Sequence, residues 1–252
     1  MNDSATPRRR PWRAVGIAAG AVVLVLAVLA VLVWAGVLWP NRVTAAKFAV
    51  RGVDVSAYQG EIDWPTLAGQ DIDFAFIKAT EGSSHEDERF AASWAAARDT
   101  DLLVGAYHFL SFESTGADQA AHMIDVVPAE SGTLPPVVDV EYYGDFASHP
   151  PEVSKLRGIL DPMLDALEDH YGVPPIIYTT EQIRSEYLGG AYDRYPLWIR
   201  SVATSPDVPR RDWEFWQYSD HDTLPGYAGD EQYIDMNVFD GTLDDLRALT
   251  QP

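Results

Sequence analysis

From Val50 onward the chain alternates short apolar runs with segments of helical period, and no feature narrows its fold more than this rhythm. The runs lie at 50–56 (VRGVDVS), 73–79 (DFAFIKA), 102–109 (LLVGAYHF), 135–141 (PPVVDVE), 174–179 (PPIIYT), 196–200 (PLWIR), 213–218 (WEFWQY) and 232–238 (QYIDMNV), and each reads as a strand. Between the early ones stand a short helical segment after Glu61, then EDERFAASWAAARD, STGADQAAHMIDVV, PPEVSKLRGILDPMLDALEDHYG and EQIRSEYLG. The last three strands are joined instead by SVATSPDVPRRD and DHDTLPGYAGDE, whose Pro, Gly, Ser and Asp content predicts loops. Eight strands with about five interstrand helices predict an α/β fold that closes as an incomplete β/α barrel. An open doubly wound sheet alternates its elements in the same way and is the competing fold. No G-x-G-x-x-G or P-loop sequence supports a nucleotide site.

Within these strands sit charges that a buried strand does not ordinarily carry. Residues two apart share a face, so Asp139 and Glu141 stand together while Val138 and Val140 pack the other way. Two carboxylates in a partly enclosed place repel each other when both are charged, which pushes one toward holding a proton. Glu141 has the higher reference pKa and the longer reach, so it is expected to hold that proton and Asp139 to stay ionised. Asp54 in GVDVSAYQG and Asp235 in YIDMNVF interrupt their strands similarly. In a closed barrel the first and eighth strands adjoin and the fourth faces them across the mouth, so the four carboxylates are expected to converge at one end. Burying an unpaired carboxylate is expensive. One such acid reads equally well as a solvated residue; four argue for a site.

Aromatic residues recur on, or just past, the same strands. A ring with a polar edge packs against a pyranose face, and Tyr58, Tyr107, Tyr142, Tyr178, Trp198 and Trp216 are therefore the candidate substrate contacts. His108, directly after Tyr107, is expected to line the mouth. Core packing is the competing reading for most of these rings, and Tyr143 either touches substrate or braces its loop. The six histidines lack zinc-ligand spacing, no loop has calcium-ligand spacing, and no G-x-S-x-G elbow occurs. Cysteine is absent, which excludes thiol catalysis and disulfides. No metal or cofactor is expected.

The N-terminal part follows different rules. No charged residue occurs from Ala14 to Trp39, and AVGIAAGAVVLVLAVLAVLVWAGVLW is long enough to cross a hydrocarbon core of about 30 Å as a helix. The expected organisation is a basic cytoplasmic arm at 1–13, a transmembrane signal-anchor at 14–39, a connector at 40–50 and an extracellular domain at 51–252. Cleavage near TAAKFA, giving a secreted domain, is the alternative, although the run exceeds the 7–15 residues usual for a signal-peptide core. Residues 51–252 carry 12 basic against 37 acidic side chains, a balance that repels nucleic acid. The expected partners are the lipid bilayer, through the N-terminal helix, and a glycan; no protein partner is inferable.

Taken together, RGVDVSAYQGEIDW (51–64), FAFIKATEG (74–82), VGAYHF (104–109), PPVVDVE (135–141), PPIIYT (174–179), LWI (197–199), WQYSD (216–220) and IDMNVF (234–239) resemble glycoside hydrolase family 25. These are lysozymes that act as N-acetylmuramidases. The resemblance covers nearly all of 51–240 and does not extend to the apolar segment. It implies a modified, flattened β/α barrel and hydrolysis of the β-1,4 bond between N-acetylmuramic acid and N-acetylglucosamine in peptidoglycan. It implies Glu141 as general acid and Asp139 as the stabiliser of the reacting sugar, whose own acetamido group or a base-activated water completes the reaction. Asp54 and Asp235 match the rest of the family's acidic cluster. The chain departs from the pattern after its sixth strand, where LWIRSVATSPD places Arg200 near the mouth and lacks the tyrosine expected close by.

Overall fold

A computed structural model of the chain describes residues 11–34, 39–209 and 212–252. Most of the expected basic arm, including Arg8, Arg9 and Arg10, lies outside the described residues, as do residues 35–38 of the apolar run. The chain divides into two compact units, Met1–Pro40 and Asn41–Pro252.

In the first unit, α1 (Pro11–Trp34) is one uninterrupted helix of 24 residues. At 1.5 Å per residue it is about 36 Å long, more than a bilayer core requires. Every side chain from Val15 to Val28 is exposed. A helix of this length and composition serves either as a membrane anchor or as a signal sequence.

The second unit is a closed barrel. Its strands are β1 (Val50–Val55), β2 (Phe74–Glu81), β4 (Leu103–Phe109), β5 (Val137–Val140), β6 (Ile176–Thr180), β7 (Leu197–Arg200), β8 (Phe215–Asp222) and β9 (Ile234–Phe239), with β3 (His85–Glu86) a short hairpin partner of β2. Neighbours pair in parallel from β1 through β2, β4, β5, β6 and β7 to β8. The ring closes through β9, antiparallel to both β8 and β1, and this closure excludes the open doubly wound sheet. The eight barrel strands coincide with the eight apolar runs to within a few residues. β9 returns beside β8 through a loop, which antiparallel pairing permits, whereas β8 reaches its parallel place beside β7 through a loop-rich crossover.

Helices cover the outside: α3 (Trp64–Ala68), α4 (Phe90–Arg98), α5 (Gly116–Val126), α6 (Val153–Tyr171), α7 (Glu181–Ile183, continuing as a π turn over Arg184–Leu188) and α8 (Leu243–Ala248), preceded in the chain by α2 (Pro40–Ala45). The longest, α6, buries Leu156, Ile159, Leu160, Met163, Leu164, Leu167 and Tyr171, an i, i+3, i+4 stripe that explains why this sequence is a surface helix. It ends at Gly172, whose φ of 73° is the left-handed cap that glycine adopts at least cost.

Strand alternation separates two cores. Val53, Val55, Ile77, Val138, Val140, Ile177 and Ile199 face the helices. Val50, Phe74, Phe76, Val137, Ile176, Trp198, Phe215 and Phe239 fill the barrel. Phe76 stacks on Trp198 with centroids 4.7 Å apart and meets Phe215 edge to face at 5.5 Å. Gly52 leaves the space these rings need, because a Cβ there would lie 2.4 Å from the Phe74 ring. The barrel is thus plugged at one end with aromatics, and polar side chains can enclose a site only toward the C-terminal ends of the parallel strands.

The stretch 40–50, expected as a plain connector, is structured and belongs to the barrel unit from Asn41 on. Asn41 Nδ2 donates to the carbonyls of Ser201 and Tyr218 at 2.9 and 3.1 Å. Phe48 packs on Trp213 and Trp216. Sequence reading treats this segment as a spacer because its anchors lie about 160 residues away in the chain.

Candidate active site

Asp54, Asp139, Glu141 and Asp235 come together in one cleft of about 570 Å³ at the barrel mouth. Each arrives by strand parity. Asp139 follows Val137 on the inner face of β5, with Glu141 one step further, and Asp235 lies directly opposite Asp54 across the β1–β9 pair. Tyr58, Tyr107, Tyr178 and Trp198 also line the cleft, together with Lys78, Phe109, Gln217, Asp220 and Tyr233, which were not singled out from the sequence.

A hydrogen-bond network fixes the floor. Trp198 can only donate, and its Nε1 donates to Asn237 Oδ1 at 2.8 Å, which leaves the Asn237 amide N–H to donate to Asp54 Oδ2 at 2.8 Å. From the other side Tyr178 donates to Gln217 Oε1 at 2.8 Å, and Gln217 Nε2 donates to Asp54 at 2.9 Å and Asp235 at 3.2 Å. Asp54 is therefore held by two amides, each locked by an aromatic donor. Asn237 and Gln217 escape a sequence reading because an uncharged amide inside a strand carries no titration signal. Parity alone marks them, since they share the inner face with Asp235 and Phe215.

The carboxylates differ in how far their burial is compensated. Burial pushes Asp54 up, while the bonds from Asn237 and Gln217 pull it back. Asp235 is raised to about 9 by burial and by the Asp54 charge facing it, so at neutral pH it keeps its proton and hydrogen-bonds to Asp54. Asp139 is held well above the usual carboxylate range by burial, then by Glu141 and Asp54, and its Oδ1 has no hydrogen-bond partner among the described residues. Glu141 is also raised by burial, with the Arg200 guanidinium opposing the rise. Burial thus biases both acids toward the protonated form, Asp139 the more strongly. Asp139 lies deeper, with an unbonded oxygen and no cation as close as Arg200 is to Glu141, so protonation is favoured on it too.

Several expected contacts lie elsewhere. His108 is fully buried on the outer face of β4, between Thr80 Oγ1 at 2.7 Å and Gln119 Oε1 at 3.0 Å. Burial lowers it to about 4, so it is neutral and structural. Trp216 points outward from β8, buried against Phe48 and Trp213, with Nε1 donating to Ser201 O. Tyr142 leaves the cleft wall, its hydroxyl donating to Glu186 Oε2 at 2.6 Å. Tyr143 braces the loop after β4, its hydroxyl accepting the Phe112 N–H at 2.8 Å. Trp198 borders the cleft but is only 2% exposed, so it holds the network and offers no sugar platform. Tyr58, 73% exposed at the rim, has the open ring face that a sugar platform requires.

A set of buried and half-buried acids at a barrel mouth, beside the exposed Tyr58 ring, suits protonation of a glycosidic oxygen and stabilisation of the cation that follows. Comparison with known proteins agrees. The chain is 44% identical to a family 25 glycosyl hydrolase from Bacillus anthracis, whose structure superposes with a TM-score of 0.75 over 80% of this chain and 94% of that one. A bacterial lysozyme from Streptomyces coelicolor is 31% identical, with a TM-score of 0.70 over 80% and 96% of the two chains. Lysozyme M1 of Streptomyces globisporus is 32% identical over 211 residues, 79% of this chain and 71% of that protein. The profile of the glycosyl hydrolases family 25 matches residues 53–227, and the chain belongs to that family.

Proposed function

We propose that the protein is a lysozyme that hydrolyses the β-1,4 bond between N-acetylmuramic acid and N-acetylglucosamine in peptidoglycan. The observation that carries this is the convergence of four acids, Asp54 and Asp139 buried and Glu141 and Asp235 half-buried, in one cleft of a family 25 barrel. Glu141 gives its proton to the leaving oxygen as the anomeric carbon gains positive charge. Asp139 acts through its unbonded Oδ1. An acetamido N–H of the bound sugar donates to this oxygen, which favours the carboxylate form of Asp139 while Glu141 keeps its proton. The sugar's own acetamide oxygen, steered by that contact, attacks the anomeric carbon. Glu141, now ionised, takes a proton from the water that completes hydrolysis. Asp54 and Asp235 fix the floor, and Tyr58 and Tyr107 pack on the sugar.

The apolar helix is retained as a single-pass anchor in this reading, with the barrel outside the cell. No more than about 25 Å of chain separates Trp34 from Asn41, which suits remodelling of the producing cell's own wall over attack on distant cells. Mass analysis of digested peptidoglycan tests the reaction: the reading requires fragments ending in reducing N-acetylmuramic acid. Fragments ending in reducing N-acetylglucosamine would point to a different glycosidase, and bound but intact glycan to a non-catalytic wall-binding module.

A further inference from the structure

Arg200 breaks the family pattern, and the hydrolytic scheme above leaves it without a task. It is the last residue of β7, two positions beyond Trp198 on the inner face, in register with Thr180 of β6 and Gln217 of β8. Its guanidinium makes two contacts of different kinds. Nη2 donates to Asp220 Oδ2 at 2.9 Å, a hydrogen-bonded ion pair, while Nε lies 3.9 Å from Glu141 Oε1, close enough for charge attraction but too long for a hydrogen bond. Asp220 is itself fixed by His221. The guanidinium is therefore pinned from β8 and left facing the glutamate.

We propose that Arg200, pinned by Asp220, is a positioning residue whose charge sets the alkaline limit of hydrolysis through Glu141. This rests on Glu141 being the proton donor. The other charged or titratable groups around the acid are Asp54 on β1, Lys78 on β2, Tyr107 on β4, Asp139 on β5, Tyr178 on β6, Asp220 and His221 on β8, Asp235 on β9, and Tyr58, Glu231 and Tyr233 on the rim loops. Lys78, the other cation in the cleft wall, is committed to Glu81 at 2.7 Å. Burial and Asp54 favour the protonated acid, and Arg200 opposes them. A cation within about 4–6 Å stabilises the carboxylate, so Glu141 gives up its proton more readily and is the better donor at low pH. The same charge empties the donor sooner as pH rises. A neutral residue at position 200 has the reverse effect.

The test compares pH profiles of kcat/KM on soluble peptidoglycan fragments for the full chain in detergent micelles, as wild type, Arg200→Gln and Arg200→Lys. Thermal melts accompany each variant. Removing the charge is expected to move the alkaline limb of Arg200→Gln to higher pH, raising the ratio of activity at pH 8 to that at pH 6 several-fold. Arg200→Lys keeps the charge and is expected to keep the wild-type limb. A wild-type limb in Arg200→Gln, or an equal shift in both variants, overturns the proposal. Direct titration of the Glu141 carboxyl by ¹³C NMR, assigned from the resonance lost in Glu141→Gln, separates this from the hydrolytic reading. Absence of turnover at every pH refutes hydrolysis, whereas a Glu141 titration unchanged by Arg200→Gln refutes the role of Arg200.

Discussion

Asp54 and Asp235 face each other across the only antiparallel pair that β1 makes, and their different surroundings make one an anion and the other an acid. Two amide donors compensate Asp54, whereas Asp235 accepts only the longer 3.2 Å bond from Gln217 and sits against its neighbour's charge. Its folded pKa of about 9 lies above the ordinary 3.8, so the folded state binds the proton more tightly than the unfolded chain. The sign follows: this residue's contribution is fully favourable below pH 4 and is lost as pH rises toward 9. Asp235→Asn keeps the shape and a donor toward Asp54 while removing the ionisation. The variant is expected to exceed wild type in stability by roughly 2–4 kcal/mol near pH 8 and by little near pH 4, measured by denaturant unfolding in micelles. The figure stands below the full linkage value because Asp54 takes part of the redistributed charge. Equal stability at both pH values would contradict this account.

At the scale of elements, strand parity decides most of what is legible. It places Asp139 and Glu141 on one face and their flanking valines on the other. Applied to neighbours, the same rule separates Tyr107 from His108 and Gln217 from Trp216, yet a histidine or tryptophan draws notice by its chemistry before its parity is considered. His108 belongs to the interface with α5, where Gln119 receives it. That partnership spans 11 residues and a loop, beyond any local pattern. The packing of α5 on α6 is similarly invisible in sequence. Gly116 opens α5 directly against α6, and a Cβ there would lie 1.8 Å from the Ile159 carbonyl oxygen, a backbone atom that cannot rotate away. Gly116→Ala is therefore expected to destabilise by at least about 1–3 kcal/mol in denaturant melts, despite alanine's better helix propensity. A neutral or stabilising result would mean that the two helices separate easily.

For the whole molecule, an acidic barrel is joined in one chain to a helix with no charged residue from Ala14 to its end at Trp34. The strand rhythm is common to a closed barrel and an open sheet, and the pairing of β9 with β1 decides between them; the docking of Asn41 and Phe48 likewise depends on partners at the far end of the chain. If the helix is retained, the protein sediments with membranes and is released by detergent but not by high salt, as immunoblotting of fractions would detect. A barrel found free in the medium would mean cleavage. The site's chemistry is independent of that outcome and depends on one proton. Reducing-end release from purified peptidoglycan should be measured for the full chain in micelles, as wild type and as Glu141→Gln. The account predicts turnover by wild type and a loss of at least about 100-fold in Glu141→Gln with glycan binding retained; an inactive wild type, or a variant that turns over at the wild-type rate, would contradict it.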